Sequence, residues 1–204
     1  MHAREILNRT RIWLNCYNVD RSMSSQYGKN TMVNNLDYVA THSEFFYKRP
    51  YTIPGFDVHL CGYNAELKIL ADYRLTIFSD PEHPVGLNKV GEIVAEPLTA
   101  CLLLNQKLDV TAEAMKTDDK LEKLWDTWRE RIREENCQEL YSQFRTSLLK
   151  LAMSYARMAV LSFAFVHVYG RDAAGRPNDA FFWRVRFLSY ELVHLLANVY
   201  SLVL

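Results

Sequence analysis

The sequence predicts an all-α protein, an irregular bundle of several helices. Apolar residues recur at three- and four-residue spacing in several long segments, as expected where one face of a helix is buried. No segment of convincing length alternates between apolar and polar residues, which is the pattern of a half-buried strand. The 204 residues, 49% of them apolar, are enough to bury a substantial core.

The first helix is predicted from about Ala3 to Gln26. Ile6, Thr10, Trp13, Leu14 and Tyr17 mark one stripe, and a second face repeats the spacing through Ile12, Cys16, Val19 and Met23. Because a helix that is apolar on two faces is usually covered on both, we expect this helix to be central in the bundle. The segment 27–54 is rich in Gly, Asn and Pro and is predicted to be a long ordered loop.

The second helix is predicted over 57–78, ending before Pro81, which cannot continue a helix. After a moderately apolar stretch at 90–108, an amphipathic helix is predicted to start near Thr117. Thr117 is its expected N-cap, and Asp118 and Asp119 are expected in its first turn, where acidic residues are favourable.

A long helix is predicted over 138–169, and the final stretch 180–204 is apolar again. The second half of the long helix is apolar nearly all round, but Lys150, Arg157 and His167 interrupt it. No uncharged run therefore reaches the roughly 18 residues of a membrane span, and we expect a buried core helix instead.

Charge and cysteine usage argue against a nucleic-acid binder and against a zinc finger. Lysine plus arginine equals aspartate plus glutamate, 24 of each, so there is no global basic field for phosphate binding. The four cysteines, Cys16, Cys61, Cys101 and Cys137, are far apart and form no C-x-x-C pair. We expect reduced, mostly buried thiols and no metal.

The sequence offers no support for catalysis, and we expect that the chain is not an enzyme. Asp57, His59 and Cys61 could share a metal ion on a strand, but residues two apart on a helix diverge. Asp57 is more simply a helix cap, and His59 a packed or exposed imidazole. The chain contains no G-x-S-x-G, P-loop or H-E-x-x-H motif.

A block at 11–29 combines basic, aromatic and acidic residues in a specific order: Arg11, Trp13, Tyr17, Asp20, Arg21, Ser24, Ser25, Gly28 and Lys29. This block resembles the most recognisable stretch of the fungal-specific transcription factor domain, the regulatory middle homology region of zinc binuclear cluster transcription factors. Asn30 stands where that family usually has Pro. The segments 56–70, 80–89 and 144–165 also resemble parts of the family, so the resemblance covers most of 6–169.

The resemblance implies a ligand-responsive or inhibitory regulatory domain that controls RNA polymerase II transcription in the nucleus. The six-cysteine zinc cluster with which the family contacts DNA is not in this chain, so no cofactor is expected here. The implied partners are co-regulator proteins, a second copy of the chain or an unidentified metabolite, with no membrane. The family has helices before the block at 11–29, so we expect an N-terminally truncated, incomplete fragment of a larger helical domain.

We therefore divide the chain into a partial regulatory domain at 1–179, with an insertion-like segment at 90–106, and a divergent apolar tail at 180–204. Asp20 and Arg21 are expected to pair with charges on neighbouring helices or to cap the loop after Gly28; contact with an effector is the alternative. Other functions remain open at this point: a helical protein-interaction module, a non-functional truncated product or, with less support, a membrane-associated helical protein.

Overall fold

The computed structural model describes residues 2–27, 31–34, 36–78, 109–136, 139–169 and 179–201. Across these ranges the chain forms six α-helices, one short 3-10 turn and no strand, which confirms the predicted all-α bundle. The helices are α1 Ala3–Tyr27, α2 Tyr38–Thr41, α3 Asp57–Phe78, α4 Val110–Glu134, α5 Leu140–Tyr169 and α6 Asp179–Ser201, and the 3-10 turn is Phe46–Lys48. The insertion-like segment 90–106 lies outside the described residues.

Helix α3 lies between α1 and α5 and runs parallel to both. Its direction follows from bonded pairs whose numbers rise together along the two helices: Arg11 with Asp57 and Asn18 with Asn64 on the α1 side, and His59 with Thr146 and Tyr73 with Val160 on the α5 side. Helix α6 runs antiparallel to α5, because Lys150 pairs with Glu191 while Arg157 and Arg184 meet at Asp118. Helix α4 packs against both α3 and α5.

The buried apolar residues form two clusters, one toward each end of the bundle. The first joins α1, the 38–48 region, and parts of α3, α4 and α5, and includes Leu14, Tyr17, Phe46, Cys61, Trp128 and Met153. The second joins α3, α4, α5 and α6, and includes Tyr73, Ile77, Leu121, Leu161, Phe181 and Leu188. Helix α6 thus contributes to the core even though it lies in the segment predicted to be a divergent tail.

Gly62 of α3 faces Leu149 of α5 and Trp128 of α4. A Cβ atom placed there would lie 2.9 Å from Cδ2 of Leu149 and 3.3 Å from the Trp128 ring. Real Cβ contacts are not this short, so the absence of a side chain permits this spacing.

The expectation that α1 is covered on both faces is wrong for this structure. Its apolar second stripe, Ile12, Cys16, Val19 and Met23, is exposed. The buried face instead carries several polar residues: Arg11, Asn18, Arg21 and Ser24, together with Leu7, Leu14 and Tyr17. The periodicity showed two candidate faces, but only one of them has a neighbour, since α1 packs chiefly on α3 and α2.

The predicted start of the amphipathic helix near Thr117 is also wrong. Helix α4 begins at Val110, and its N-cap is Asp109, whose side chain accepts from the amides of Thr111 and Ala112. Thr117 and Asp118 lie inside the helix and are buried. A Thr-Asp-Asp sequence is a good start signal in isolation, but burial of Val110 and Ala114 in the second cluster extends the helix by two turns toward its N-terminus.

The segment Leu140–Phe165 of α5 is long and apolar enough to cross a membrane, by length and composition alone. Core helices of bundles also pass this test. Its polar side chains are engaged by neighbouring elements: Arg145 donates to the Gly55 carbonyl, Lys150 pairs with Glu191, and Arg157 pairs with Asp118. These contacts suit the core helix that the sequence predicts.

One carboxyl group lies in the interior without a full set of partners. Glu66 of α3 is 3% exposed, and its Oε2 atom has no hydrogen-bond partner. Burial raises the pKa of Glu66 to about 8, because a charged carboxylate is disfavoured away from water. At neutral pH this side chain is therefore mainly protonated in the folded protein.

This burial makes stability depend on pH in a defined direction. In the unfolded chain Glu66 ionises with a pKa near 4.5, whereas in the folded protein it ionises only near pH 8. Below pH 4.5 Glu66 is protonated in both states and does not make the free energy of unfolding depend on pH. Between these values the unfolded state alone gains the charge, so the free energy of unfolding falls as the pH rises. We expect Glu66→Gln to raise the free energy of unfolding at pH 8 by about 1–3 kcal/mol and to change it little at pH 4.5. Urea denaturation at the two pH values measures this difference. Glu130→Gln on the surface serves as control, and a Glu66→Gln effect that is equal at both pH values would contradict the expectation.

Candidate functional site

The block at 11–29 is anchored by a buried ion pair between α1 and the start of α3. Arg11 Nε donates to Asp57 Oδ1 at 2.6 Å, and Nη2 donates to Oδ2 at 2.7 Å, a bidentate arrangement. Asp57 is fully buried and also accepts from the amide of Ile53 at 2.8 Å. Asp57, predicted to be a helix cap, thus ties α1 and the preceding turn to the first residue of α3.

Asp20 and Arg21 hold the segment that follows α1. The two carboxylate oxygens of Asp20 accept from the amides of Met32 and Val33, each at 3.1 Å. The Arg21 guanidinium lies over the Tyr17 ring, 4.6 Å from its centroid, and donates to the Val33 carbonyl. Both side chains therefore bind this chain's own backbone and rings. Gly28 and Lys29 lie outside the described residues.

Trp13 occupies the outer side of the same helix. Its indole Nε1 donates to Asp37 Oδ1 at 2.9 Å, and Asp37 also caps the short helix α2. The ring remains 40% exposed. Trp13 thus positions α2 on α1 rather than filling the core.

A chain of buried amides joins α1, α3 and the 38–48 region, and sequence reasoning missed it. Ser43 donates to Asn64 Oδ1 at 3.1 Å, Asn64 Nδ2 donates to Asn18 Oδ1 at 3.0 Å, and Asn18 reaches the Leu60 carbonyl. All three polar residues are buried. The sequence did contain a signal, because Asn18 and Asn64 follow other core-facing positions at three- and four-residue spacing. These positions are 11, 14 and 18 in α1 and 57, 60 and 64 in α3.

At the other end of the bundle, Asp118 joins three helices. Arg157 Nε of α5 donates to Asp118 Oδ1 at 2.6 Å, and Arg184 Nη1 of α6 donates to Oδ2 at 2.8 Å. Asp118 has no exposed surface, and Arg184 also pairs with Asp119. Sequence reasoning placed Asp118 in the first turn of the helix; the useful signal was Arg157, a charge in an apolar helix that requires a partner.

An open groove lies beside this cluster. It has a volume of about 360 Å³ and is lined by Glu122, Arg157, Trp183, Arg184, Phe187 and Leu188. Its two guanidinium groups are paired with the carboxylate of Asp118, and the half-exposed Glu122 is itself paired with Arg157 at 3.6 Å. The groove therefore offers a ligand two aromatic rings and one half-exposed carboxylate that the ligand would share with Arg157.

Asp57, His59 and Cys61 do not converge. Asp57 faces Arg11, His59 Nε2 is 2.8 Å from Thr146 Oγ1 of α5, and Cys61 belongs to the first core cluster. Burial lowers the pKa of His59 to about 4 and raises the pKa of Cys61 to about 12, so both are neutral at physiological pH. Cys61 is buried as expected, but Cys16 is exposed. Across the described ranges, no three His, Cys, Asp or Glu side chains form a metal-sized group.

Comparison of the chain with family models, with curated proteins and with solved structures gives no match. The resemblance of residues 11–29 to the fungal-specific transcription factor domain therefore stays a prediction.

The Arg11–Asp57 pair should be essential for folding stability. We expect Arg11→Ala to lower the free energy of unfolding by about 3–5 kcal/mol, because it leaves Asp57 buried without its counter-charge. Arg9→Ala is the matched control on the same helix, since Arg9 makes an exposed pair with Glu5 and should cost less than about 1 kcal/mol. Denaturant titration of both variants compares them, and equal losses would show that the buried pair has no special role.

Asp118 should be the corresponding anchor for α6. We expect Asp118→Asn to cost about 2–4 kcal/mol, since the amide keeps the shape but removes the charge that Arg157 and Arg184 share. Asp126→Asn, on the exposed side of α4, should change stability by less than about 0.5 kcal/mol. Thermal denaturation gives both values. An Asp118→Asn variant as stable as the wild type would mean that the other contacts of α6 hold it without this charge.

Proposed function

We propose that this chain is a helical regulatory domain of the fungal zinc-cluster transcription factor type, which acts in the nucleus through contacts with other proteins. DNA contact belongs to a zinc cluster outside this chain, and the chain itself carries no catalytic site and no cofactor. The proposal starts from the four blocks of sequence resemblance and from the helical architecture in which they occur.

The observation that carries the proposal is the Arg11–Asp57 pair. Arg11 belongs to the first family-like block and Asp57 to the second, and the two bind each other bidentately in the interior. Asn18 and Asn64 repeat this link between the same two blocks. These contacts support a structural role for the motif residues, whose charges hold α1 and α3 together. Recognition of other molecules would then take place on the outer surface.

The outer surface favours contacts with proteins. Helix α6 exposes a series of large apolar side chains, and α1 exposes its second stripe. Exposed apolar patches of several hundred Å² on a folded domain generally mark interaction sites. A regulatory domain that masks an activation segment or recruits a co-regulator requires a surface of this kind.

A metabolite effector is the second candidate, and the groove beside Asp118 favours it. Trp183 and Phe187 offer ring faces, and Glu122 offers a carboxylate. This combination suits an organic cation, because ring faces and carboxylates both attract positive charge. Thermal-shift screening with small organic amines tests this candidate: a higher unfolding midpoint that Glu122→Gln abolishes supports it, and no shift removes it.

A reporter assay tests the proposed function. The chain is fused to an unrelated DNA-binding domain that carries a constitutive activation segment. Transcription of a reporter gene is then measured in yeast cells. We expect a several-fold change relative to the fusion without the chain. Because regulation requires the folded framework, Arg11→Ala should abolish the change and Arg9→Ala should not. A wild-type fusion that leaves transcription unchanged, although it accumulates in the nucleus, would refute the proposal.

A further inference from the structure

The outer face of α6 carries a series of exposed large apolar side chains. The described part of the helix has six of them: Phe182, Trp183, Phe187, Tyr190, Val193 and Leu196. Their exposed fractions lie between 43% and 69%. The opposite side of the same helix, with Phe181, Leu188 and Leu195, is buried. We call the six exposed residues the α6 face.

The α6 face carries one charged residue. Arg186 lies within it, about one helical turn from both Phe182 and Tyr190, and its guanidinium lies 5.3 Å from the centroid of the Trp183 ring. Two other charged side chains of α6 bind within the bundle, since Arg184 binds Asp118 and Glu191 pairs with Lys150. A partner for this face therefore has to supply apolar surface and accommodate one guanidinium group.

From these observations we infer that the α6 face binds the α6 face of a second copy of this chain. At 150–250 Å² for a large aromatic side chain, and less for Val and Leu, the six residues expose roughly 600–700 Å². Two such faces together bury at most roughly 1,200–1,400 Å², which reaches the lower end of stable protein interfaces. A symmetric pair of identical faces is the commonest arrangement of protein dimers.

Charge also permits this pairing. The chain has 24 basic and 24 acidic residues, so two copies experience no net repulsion. A lipid surface is the less suitable occupant, because stable binding to anionic lipid needs several basic residues around an apolar helix face and α6 exposes only Arg186 among its described side chains.

Helix orientation gives the pairing a structural basis. Asp118 fixes Arg184, and Phe181 and Leu188 enter the second core cluster, so α6 cannot turn its aromatic side inward without losing these contacts. The α6 face is thus held outward as a preformed surface. Preformed surfaces bind with little ordering cost.

Sedimentation velocity of the whole chain over a range of concentrations tests the inference. We expect a species of twice the 23.8 kDa monomer mass at micromolar concentration. Phe187→Glu and Tyr190→Glu should each weaken self-association at least about tenfold, since both place a charge in the centre of the interface. Both residues are well exposed in the monomer, so circular dichroism spectra should be unchanged.

Ile12→Glu and Val19→Glu on the exposed stripe of α1 are the matched controls and should leave the dimer intact. A wild-type chain that stays monomeric up to about 100 μM, or a dimer lost through the α1 variants rather than the α6 variants, would overturn the inference. Co-sedimentation of a monomeric chain with phosphatidylserine vesicles, abolished by Phe187→Glu, would assign the face to lipid instead. The inference shares with the proposed function only the outer surface that both use. A monomeric chain that still regulates the reporter would therefore refute the dimer and leave the proposed function standing.

Discussion

The buried bidentate pair of Arg11 and Asp57 is the contact on which the arrangement of the first half of the bundle depends. Neither group can leave water without the other, because an uncompensated charge in the interior costs several kcal/mol. Asp57 begins α3, accepts from Arg11 and also binds the amide of Ile53. Arg145 of α5 donates to the adjacent Gly55 carbonyl. The start of α3 is therefore fixed against α1, the preceding turn and α5 at a single point.

Asp118 repeats this principle at the other end. It is as fully buried as Asp57, and it receives guanidinium groups from two further helices. Apolar packing is non-directional, so it brings helices together without fixing their rotation about the helix axis. Charged hydrogen bonds are directional and therefore fix this rotation. The rotation of α6 that results places Phe181 and Leu188 inside and Phe187 and Tyr190 outside.

Function in this chain is therefore sought on its surface. The residues that look chemically active in the sequence are used for structure: Arg11, Asp20 and Arg21 bind partners within the chain, and burial keeps His59 and Cys61 neutral. On the described surface, the aromatic side chains of α6 and the half-exposed carboxylate of Glu122 are accessible to an external molecule.

The sequence by itself determined the helical class and the approximate positions of the main helices, because a repeat of three to four residues is a local property of the chain. It also showed that Arg157 interrupts an apolar helix. The partner of Arg157, which is Asp118, and the start of α4 at Val110 depended on residues far away in the chain. Only the tertiary structure decided which apolar stripes are covered. The stripe of Ile12 and Val19 and the face of Phe187 and Tyr190 follow the same spacing as buried stripes, yet both lie in water, because burial requires a neighbouring helix and not only a pattern.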